Sequence, residues 1–183
     1  MSRIKSILKN RINSGEFYKP WLWPGLFLYQ FTRPLSPGLH FVNFVFQRIF
    51  RINAEQKFMV HFTSKVSGKV EFGKKVWISF ASSGGCYVQG DNGIFIGENT
   101  IFAPGVKIIS ANHDKNDFGK QQIAKPIIIG KNCWLAANCV ILPEVELGDN
   151  VVVGAGAVVT KSFPSNSTIA GVPAKIIGEN KNL

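Results

Sequence analysis

The chain has 183 residues, 45% of them hydrophobic, with a formal net charge of +10. That length allows one core with a small appendage, and three cysteines make no paired disulfide framework. The charge is not accompanied by a helix-turn-helix, RNP-type or zinc-finger pattern, which argues against nucleic acid as the partner.

Residues 1–60 hold nine Lys/Arg against two Asp/Glu. A phosphorylated cofactor and an anionic membrane surface are the partners that such a balance fits. The opening MSRIKSILKNR is basic, but it lacks the apolar region and small-residue cleavage site of a signal peptide. A cytoplasmic chain with reduced thiols is therefore expected.

Taken in order, residues 2–12 place Ile4, Ile7 and Leu8 at helical spacing among basic residues, which predicts a short amphipathic helix. Residues 17–31, FYKPWLWPGLFLYQF, are too short and too broken by proline and glycine to span a membrane. Ser36-Pro37 reads as an N-cap with proline at the first helical position. The helix it opens is expected to run to about Arg51, with Leu39, Val42, Phe46 and Ile49 on its apolar face. Thirteen of the 22 aromatics fall in residues 1–62. They have two readings: a cap packed over the open end of the following domain, or a peripheral membrane patch through residues 1–50 at the inner membrane.

From Val60 a beat of six begins, at Val60, Val66, Phe72 and Ile78. It is expected to lose register across Phe80–Asn92, where SSGGC and QGDNG read as a turn or outward loop. It returns at Ile96, Phe102 and Ile108. The clearest run is Ile129, Leu135, Ile141, Leu147, Val153 and Val159, with small or branched Cys133, Cys139, Val145, Val151 and Ala157 four places after the first five. Neither a helix (3.6) nor an alternating strand (2) has that period, whereas a short parallel strand and a turn, repeated, does. Cys133 and Cys139 share one repeat position and are expected to point inward. The 21 residues between Ile108 and Ile129 exceed one repeat by 15, so an excursion over 110–126 must leave the coil. The beat is expected to stop after Pro164. The domains are thus 1–59, a helical and aromatic cap; 60–178, a β-helix; and 179–183, a tail.

The segments IGENTIFAPGVKIISANHD, CWLAANCVILPEVELGDNVVVGAGAVVTKSFP and NSTIAGVPAKII, in that order, make residues 60–178 resemble the left-handed β-helix hexapeptide-repeat acyltransferases that O-acetylate sugars. The resemblance implies an all-β repeat fold, a left-handed parallel β-helix with three hexapeptides per coil. It also implies a homotrimer with active sites between neighbouring subunits. Left-handedness departs from the usual right-handed crossover, and spacing alone does not reveal it.

In the family the histidine matching His113 is the general base, a role suited to imidazole beside a hydroxyl of high pKa. Asn112 and Asp114 are candidate substrate-orienting residues or simple loop stabilisers. The implied co-substrate is acetyl-CoA. Its linear, amide-rich arm needs small neighbours, and Ala136, Ala137, Gly154 and Ala155, with Gly156, match the family positions that face it. Hexapeptide turns also favour small residues for their own sake, Gly148 among them. Thr160, Lys161 and Lys175 match positions that meet the nucleotide and its phosphates, a role for which lysine is a suitable point charge; solvated surface lysines are the other reading. Trp134 is either a wall of the acyl site or a packing residue. Cys86 and Cys139 are not nucleophile candidates, since nothing marks an activating base. His40 and His61 read as structural. With no second histidine near His113, a metal site of the β-helical carbonic anhydrase kind is not expected.

The N-terminus departs from the galactoside and maltose enzymes, and Ser82-Ser83-Gly84-Gly85 stands where they carry a polar asparagine. Acceptors of capsule, O-antigen or exopolysaccharide assembly, nucleotide- or lipid-linked glycans, fit the general shape better. An N-acetyltransferase on a nucleotide-linked amino sugar and a non-catalytic β-helix scaffold are the alternatives. Serine acetyltransferase is disfavoured, because its long helical N-terminal domain has no counterpart here.

Overall fold

The computed structural model describes residues 35–180. The expected helix over 2–12, the aromatic stretch 17–31 and the last three residues lie outside them. The fold is all-β, a left-handed parallel β-helix, and its repeat explains why the beat is six.

The strands are β1 (Lys65–Phe72), β2 (Tyr87–Ile96), β3 (Ile101–Phe102), β4 (Lys107–Ile109), β5 (Ile127–Ile129), β6 (Trp134–Leu135), β7 (Val140–Ile141), β8 (Glu146–Leu147), β9 (Val152–Val153), β10 (Val158–Val159), β11 (Ser167–Ala170) and β12 (Lys175–Glu179). Parallel pairing stacks them on three faces. The first face carries the column Val66, Val88, Ile108, Ile141 and Val159. The second carries Phe72, Ile96, Ile129, Leu147 and Phe163. The third carries Phe102, Leu135, Val153 and Ile169. Every one of these side chains is buried. In the later coils each shares its hexapeptide with a second buried side chain, such as Cys133, Val145 or Ala157, and removing these from water is what the period encodes.

Ile129 pairs with Leu147, and Leu135 with Val153, each 18 residues on: one coil is three hexapeptides. Ile96 to Ile129, Phe102 to Leu135 and Ile108 to Ile141 are also one coil apart but 33 residues on. The 15 surplus residues lie within the segment 110–126, which leaves the prism and returns to the same coil.

The edges are built by turn chemistry. Asn99, Asn132, Asn150 and Asn166 stack along the edge between the second and third faces with φ of 58°, 54°, 59° and 64°. Asparagine tolerates that left-handed region better than most residues. Its carboxamide is used as well: each Nδ2 donates to the Oδ1 of the next coil, at 3.2, 3.2 and 2.8 Å. Gly97, Gly130 and Gly148 lie nearby, where a Cβ would collide with the backbone of the following coil. Close coil stacking is thus the reason Gly148 is small.

Cys86, Cys133 and Cys139 are free and buried. Burial pushes the Cys133 thiol up to about 11 and the Cys139 thiol up to about 12, so neither is a nucleophile at neutral pH.

Four expectations are corrected. Helix α1 (Pro37–Phe44) starts as read, with Ser36 Oγ accepting from Leu39 N at 3.3 Å, and continues as a π-helical turn over Val45–Ile49. Its inner face, however, is polar. His40, Asn43 and Gln47 are buried, while Ile49 is exposed and Leu39, Val42 and Phe46 are only half-buried. The reason is that the segment it covers, residues 58–62, is not in a strand and its backbone needs partners. Gln47 donates to Phe58 O (2.8 Å) and accepts from Val60 N (3.2 Å), and Asn43 accepts from Phe62 N (3.0 Å) and donates to Ala81 O (2.8 Å).

Ile78 is not a strand position, because helix α2 (Val76–Ser82) takes the place of a third-face strand under β3. Its Phe80 joins Phe58, Phe72 and Phe102, ring centroids 4.7–5.1 Å apart, in filling that end of the interior. Residues 80–92 are not one loop either. β2 runs unbroken over the first–second edge, and β1 beside it, because Gly68 and Gly90 sit back to back where any Cβ would meet the other strand's backbone. Lastly, the beat runs one step past Pro164, to Ile169 on top of Val153. Antiparallel β12 then closes the sheet against β11.

Candidate functional site

The candidate residues gather at two edges of the prism. The excursion leaves from the edge between the first and second faces. Its stem is a short antiparallel pairing: His113 bridges Gln121, Gln122 N donates to Asn112 O (2.8 Å), and Asp114 N donates to Lys120 O (2.9 Å). Asp114 Oδ1 accepts from Asn116 N at 2.7 Å and Asp117 Oδ1 from Gly119 N at 3.0 Å, so both carboxylates shape the loop. His113 and Asn112 are exposed on this stem.

Sequence reasoning missed the pair that anchors it. Asn92 Nδ2 donates to Ser110 O and Gln122 O, both at 2.9 Å, tying the start of the excursion to its return. Gln121 Nε2 donates to Asp91 Oδ2 at 2.8 Å. Asp91-Asn92-Gly93 looks like a turn in sequence, which hid these residues inside a strand. Thr160 and Lys161 lie on the same edge, two coils on, both exposed, with the Lys161 ammonium 5.7 Å from the Phe163 ring centre.

The edge between the third and first faces is bare. Its turns stack coil on coil: Gly105 N donates to Gly84 O (2.9 Å), Asn138 N to Pro104 O (3.1 Å), and Gly156 N to Ala137 O (2.9 Å). Ala136 and Ala137 occupy the turn of one coil, and Gly154, Ala155 and Gly156 the turn of the next. Gly154 has a packing reason to be small, since a Cβ there would lie 2.9 Å from that of Ala170. Gly156 has a conformational one, φ +68°, and faces open space. Lys175 is exposed on β12 opposite Ala170, at the end of this edge. Trp134 is 48% exposed on the outside of the third face, two residues before Ala136 and stacked between Ile101 and Val152.

Within one chain, then, Ala136, Ala137, Gly154, Ala155 and Lys175 come together, and His113, Asn112, Asp114, Thr160 and Lys161 come together elsewhere. The first face separates the groups, about five residues of extended chain or ~16 Å.

The bare edge continues beyond Gly84 to a cluster that sequence reasoning took for structure. His61 Nδ1 accepts from Thr63 N at 3.2 Å and lies 2.9 Å from Thr63 Oγ1, which accepts from Gly85 N at 2.9 Å. Burial lowers the His61 pKa. Among the described residues no group of three His, Cys, Asp or Glu is placed to hold a metal ion.

Residues 126–161 match the family model described as bacterial transferase hexapeptide (six repeats). Over 92 residues the chain is 40% identical to the galactoside O-acetyltransferase of Escherichia coli K12, covering 49% of this chain and 45% of that protein. Over 111 residues it is 33% identical to an E. coli K12 protein named provisionally as a colanic acid biosynthesis acetyltransferase, covering 61% and 59%. The chain thus spans about half the length of the curated relatives it matches. A crystal structure of a hexapeptide-repeat acetyltransferase from Vibrio cholerae, complexed with acetyl coenzyme A, superposes with a TM-score of 0.51 at 21% identity over 65% of this chain and 64% of that one; it shares the fold.

Proposed function

We propose that this chain, whose coil is a bacterial transferase hexapeptide repeat, moves an acetyl group from acetyl-CoA to a sugar hydroxyl. The observation that carries the reading is the pair of edges: a side-chain-poor edge ending near Lys175, and a histidine on an anchored loop one face away. The pantetheine arm lies along the bare edge, where small residues let its amides reach the backbone. Lys175 and the Thr160–Lys161 turn meet the phosphates, and Trp134 flanks the acyl end.

One chain cannot bring both edges to one substrate, so a neighbouring copy supplies the second. A closed trimer places the histidine loop of each copy against the bare edge of the next. His113 accepts the proton of the acceptor hydroxyl as its oxygen attacks the thioester carbonyl. The C–S bond breaks, the oxyanion collapses to the ester, and CoA leaves as a thiolate that takes the proton back from His113. Asn112 and Asp114 hold the loop and orient the acceptor.

The acceptors we infer are nucleotide- or lipid-linked glycans of surface polysaccharide assembly. The colanic acid relative supports this. So does the N-terminal helix, which turns Phe41, Phe44, Ile49 and Phe50 outward beside exposed Arg48 and Arg51. An anionic membrane surface suits that mixture of aromatic and basic groups. No helix among the described residues is long and apolar enough to cross a membrane.

The test is CoA release from acetyl-CoA over sugar, amino-sugar, nucleotide-sugar and polysaccharide acceptors, wild type beside His113→Ala. Acceptor-dependent turnover lost in the variant supports the reading. Turnover on amino sugars alone points to N-acetylation, and absence of acetyl-CoA binding leaves a scaffold.

A further inference from the structure

We propose that His61 forms an acceptor-binding subsite at the far end of the bare edge, its Nε2–H donating to a hydroxyl of the sugar. The inference deepens the acetyl-transfer reading above and rests on it.

The local geometry fixes what the imidazole can do. A backbone N–H can only donate, so Nδ1, which receives the Thr63 N–H, carries no proton. The Thr63 hydroxyl therefore donates its hydrogen to Nδ1 and accepts the Gly85 N–H on its oxygen. This chain, Gly85 N–H to Thr63 Oγ1–H to Nδ1, leaves the neutral ring as the Nε2–H tautomer. Stacking on Phe62, with ring centres 4.6 Å apart and planes 25° off parallel, holds the ring in place. Nε2 makes no hydrogen bond to the described residues. A turn-stabilising histidine would need only Nδ1; here the second nitrogen is oriented and left available.

The surroundings are cleared for a ligand in two different ways. A Cβ on Gly84 would lie 2.7 Å from Thr63 Oγ1 and 2.8 Å from His61 Cε1, so glycine there is what lets the ring lie against the backbone. Gly85, at φ +68°, has nothing within 4 Å of where its Cβ would be. Open space therefore borders the Gly85 turn, at the end of the edge that carries Ala137 and Ala155, and the half-buried His61 ring lies against the adjoining Gly84. Successive coils lie about 4.8 Å apart. Lys175 stands on β12, two strands beyond β9, and Trp134 on β6, the strand before β9. An arm anchored by its phosphates near Lys175 and ending at Trp134 leaves two coils, roughly 10 Å, between its acyl end and the turn of Gly84 beside His61. The group met there is the one that receives the acyl chain, and a sugar hydroxyl both donates and accepts hydrogen bonds.

The first measurement is 15N spectroscopy of the histidine side chains in the intact chain. The proposal expects the Nε2–H tautomer at pH 7. It also expects a shift of the His61 Nε2 resonance on adding methyl β-D-galactopyranoside, methyl α-D-glucopyranoside or UDP-N-acetylglucosamine to the acetyl-CoA complex. The second is kinetics with the glycoside that shifts it. His61→Ala raises the acceptor KM on the order of tenfold, the worth of one well-made hydrogen bond, with the acetyl-CoA dissociation constant little changed. His61→Gln, whose amide N–H reaches the same place, recovers most of the loss. Thr63→Val frees the ring and gives an intermediate KM. An Nδ1–H or charged His61 at pH 7, no shift with any of the three glycosides, or equal losses in His61→Ala and His61→Gln would each overturn the proposal. Wild-type chain that fails to bind acetyl-CoA calorimetrically would instead remove the acetyl-transfer reading itself.

Discussion

The coils from Ile127 to Ala170 and the region from Leu35 to Ile96 solve the same problem with opposite materials. In the later coils the hexapeptides send apolar side chains inward, and the backbone groups pair with the next coil. In the earlier region the chain departs from that ladder over 58–62. A helix then covers it with amides, burying Asn43 and Gln47 and turning phenylalanines to the surface. Where the backbone is satisfied by repetition, side chains are free to be apolar. Where it is not, side chains must supply hydrogen bonds, and apolar groups are displaced outward. Both candidate histidines belong to breaks in the repeat: His113 to the excursion, and His61 to the non-strand stretch under the helix.

The sharpest way to test that contrast is through function. His113→Ala is expected to lose on the order of 10²–10⁴ in kcat/KM, the usual contribution of a general base, with acetyl-CoA binding retained by calorimetry. Loss of fold along with activity would make the excursion structural instead.

Stability comes next. Leu135, fully buried in the third-face column, should cost about 2–5 kcal/mol when cut to alanine. Gln47→Ala leaves Phe58 O and Val60 N without their partner and should cost about 1–3 kcal/mol, whereas Gln47→Leu should not be milder. Urea denaturation decides. If the leucine variant is as stable as wild type, the amides are not what holds the helix.

A smaller effect follows from the core thiols. Cys133 and Cys139 hold their protons to about 11 and about 12 in the folded chain, against about 9 when exposed. Above pH 9 the unfolded chain therefore releases protons that the folded chain keeps, and stability falls as pH rises towards those values. Denaturation midpoints at pH 8 and pH 10 should differ more in the wild type than in Cys133→Ala/Cys139→Ala.

The smallest effect on stability is expected at the outward phenylalanines. Phe41→Ser and Phe50→Ser, 68% and 64% exposed, should each change it by less than about 0.5 kcal/mol. Together they should abolish flotation of the full chain with phosphatidylserine vesicles. Unchanged flotation, or flotation equally strong on neutral vesicles, removes the membrane reading.

Candidates for the site could be named from sequence, because they are residue types with few alternative uses: a histidine in an excursion between repeats, and small residues at successive turns. The role of Gly148 as a stacking residue was readable in kind, since turns favour glycine. The separation of His113 from Ala136 and Ala155 by a whole face was not. It depends on which of three edges each turn occupies, and a period of six is the same on all of them.

By itself the sequence determined the six-residue beat of a β-helix and the length of the excursion. Each is set by a count along the chain, and a buried aliphatic at a fixed interval leaves that count visible. Only the tertiary structure decided which way the N-terminal helix faces, that β2 crosses an edge unbroken, and that His61 stands at the end of the bare edge. Those outcomes depend on which backbone groups lack partners and which Cβ positions would collide, and these are properties of segments far apart in the chain.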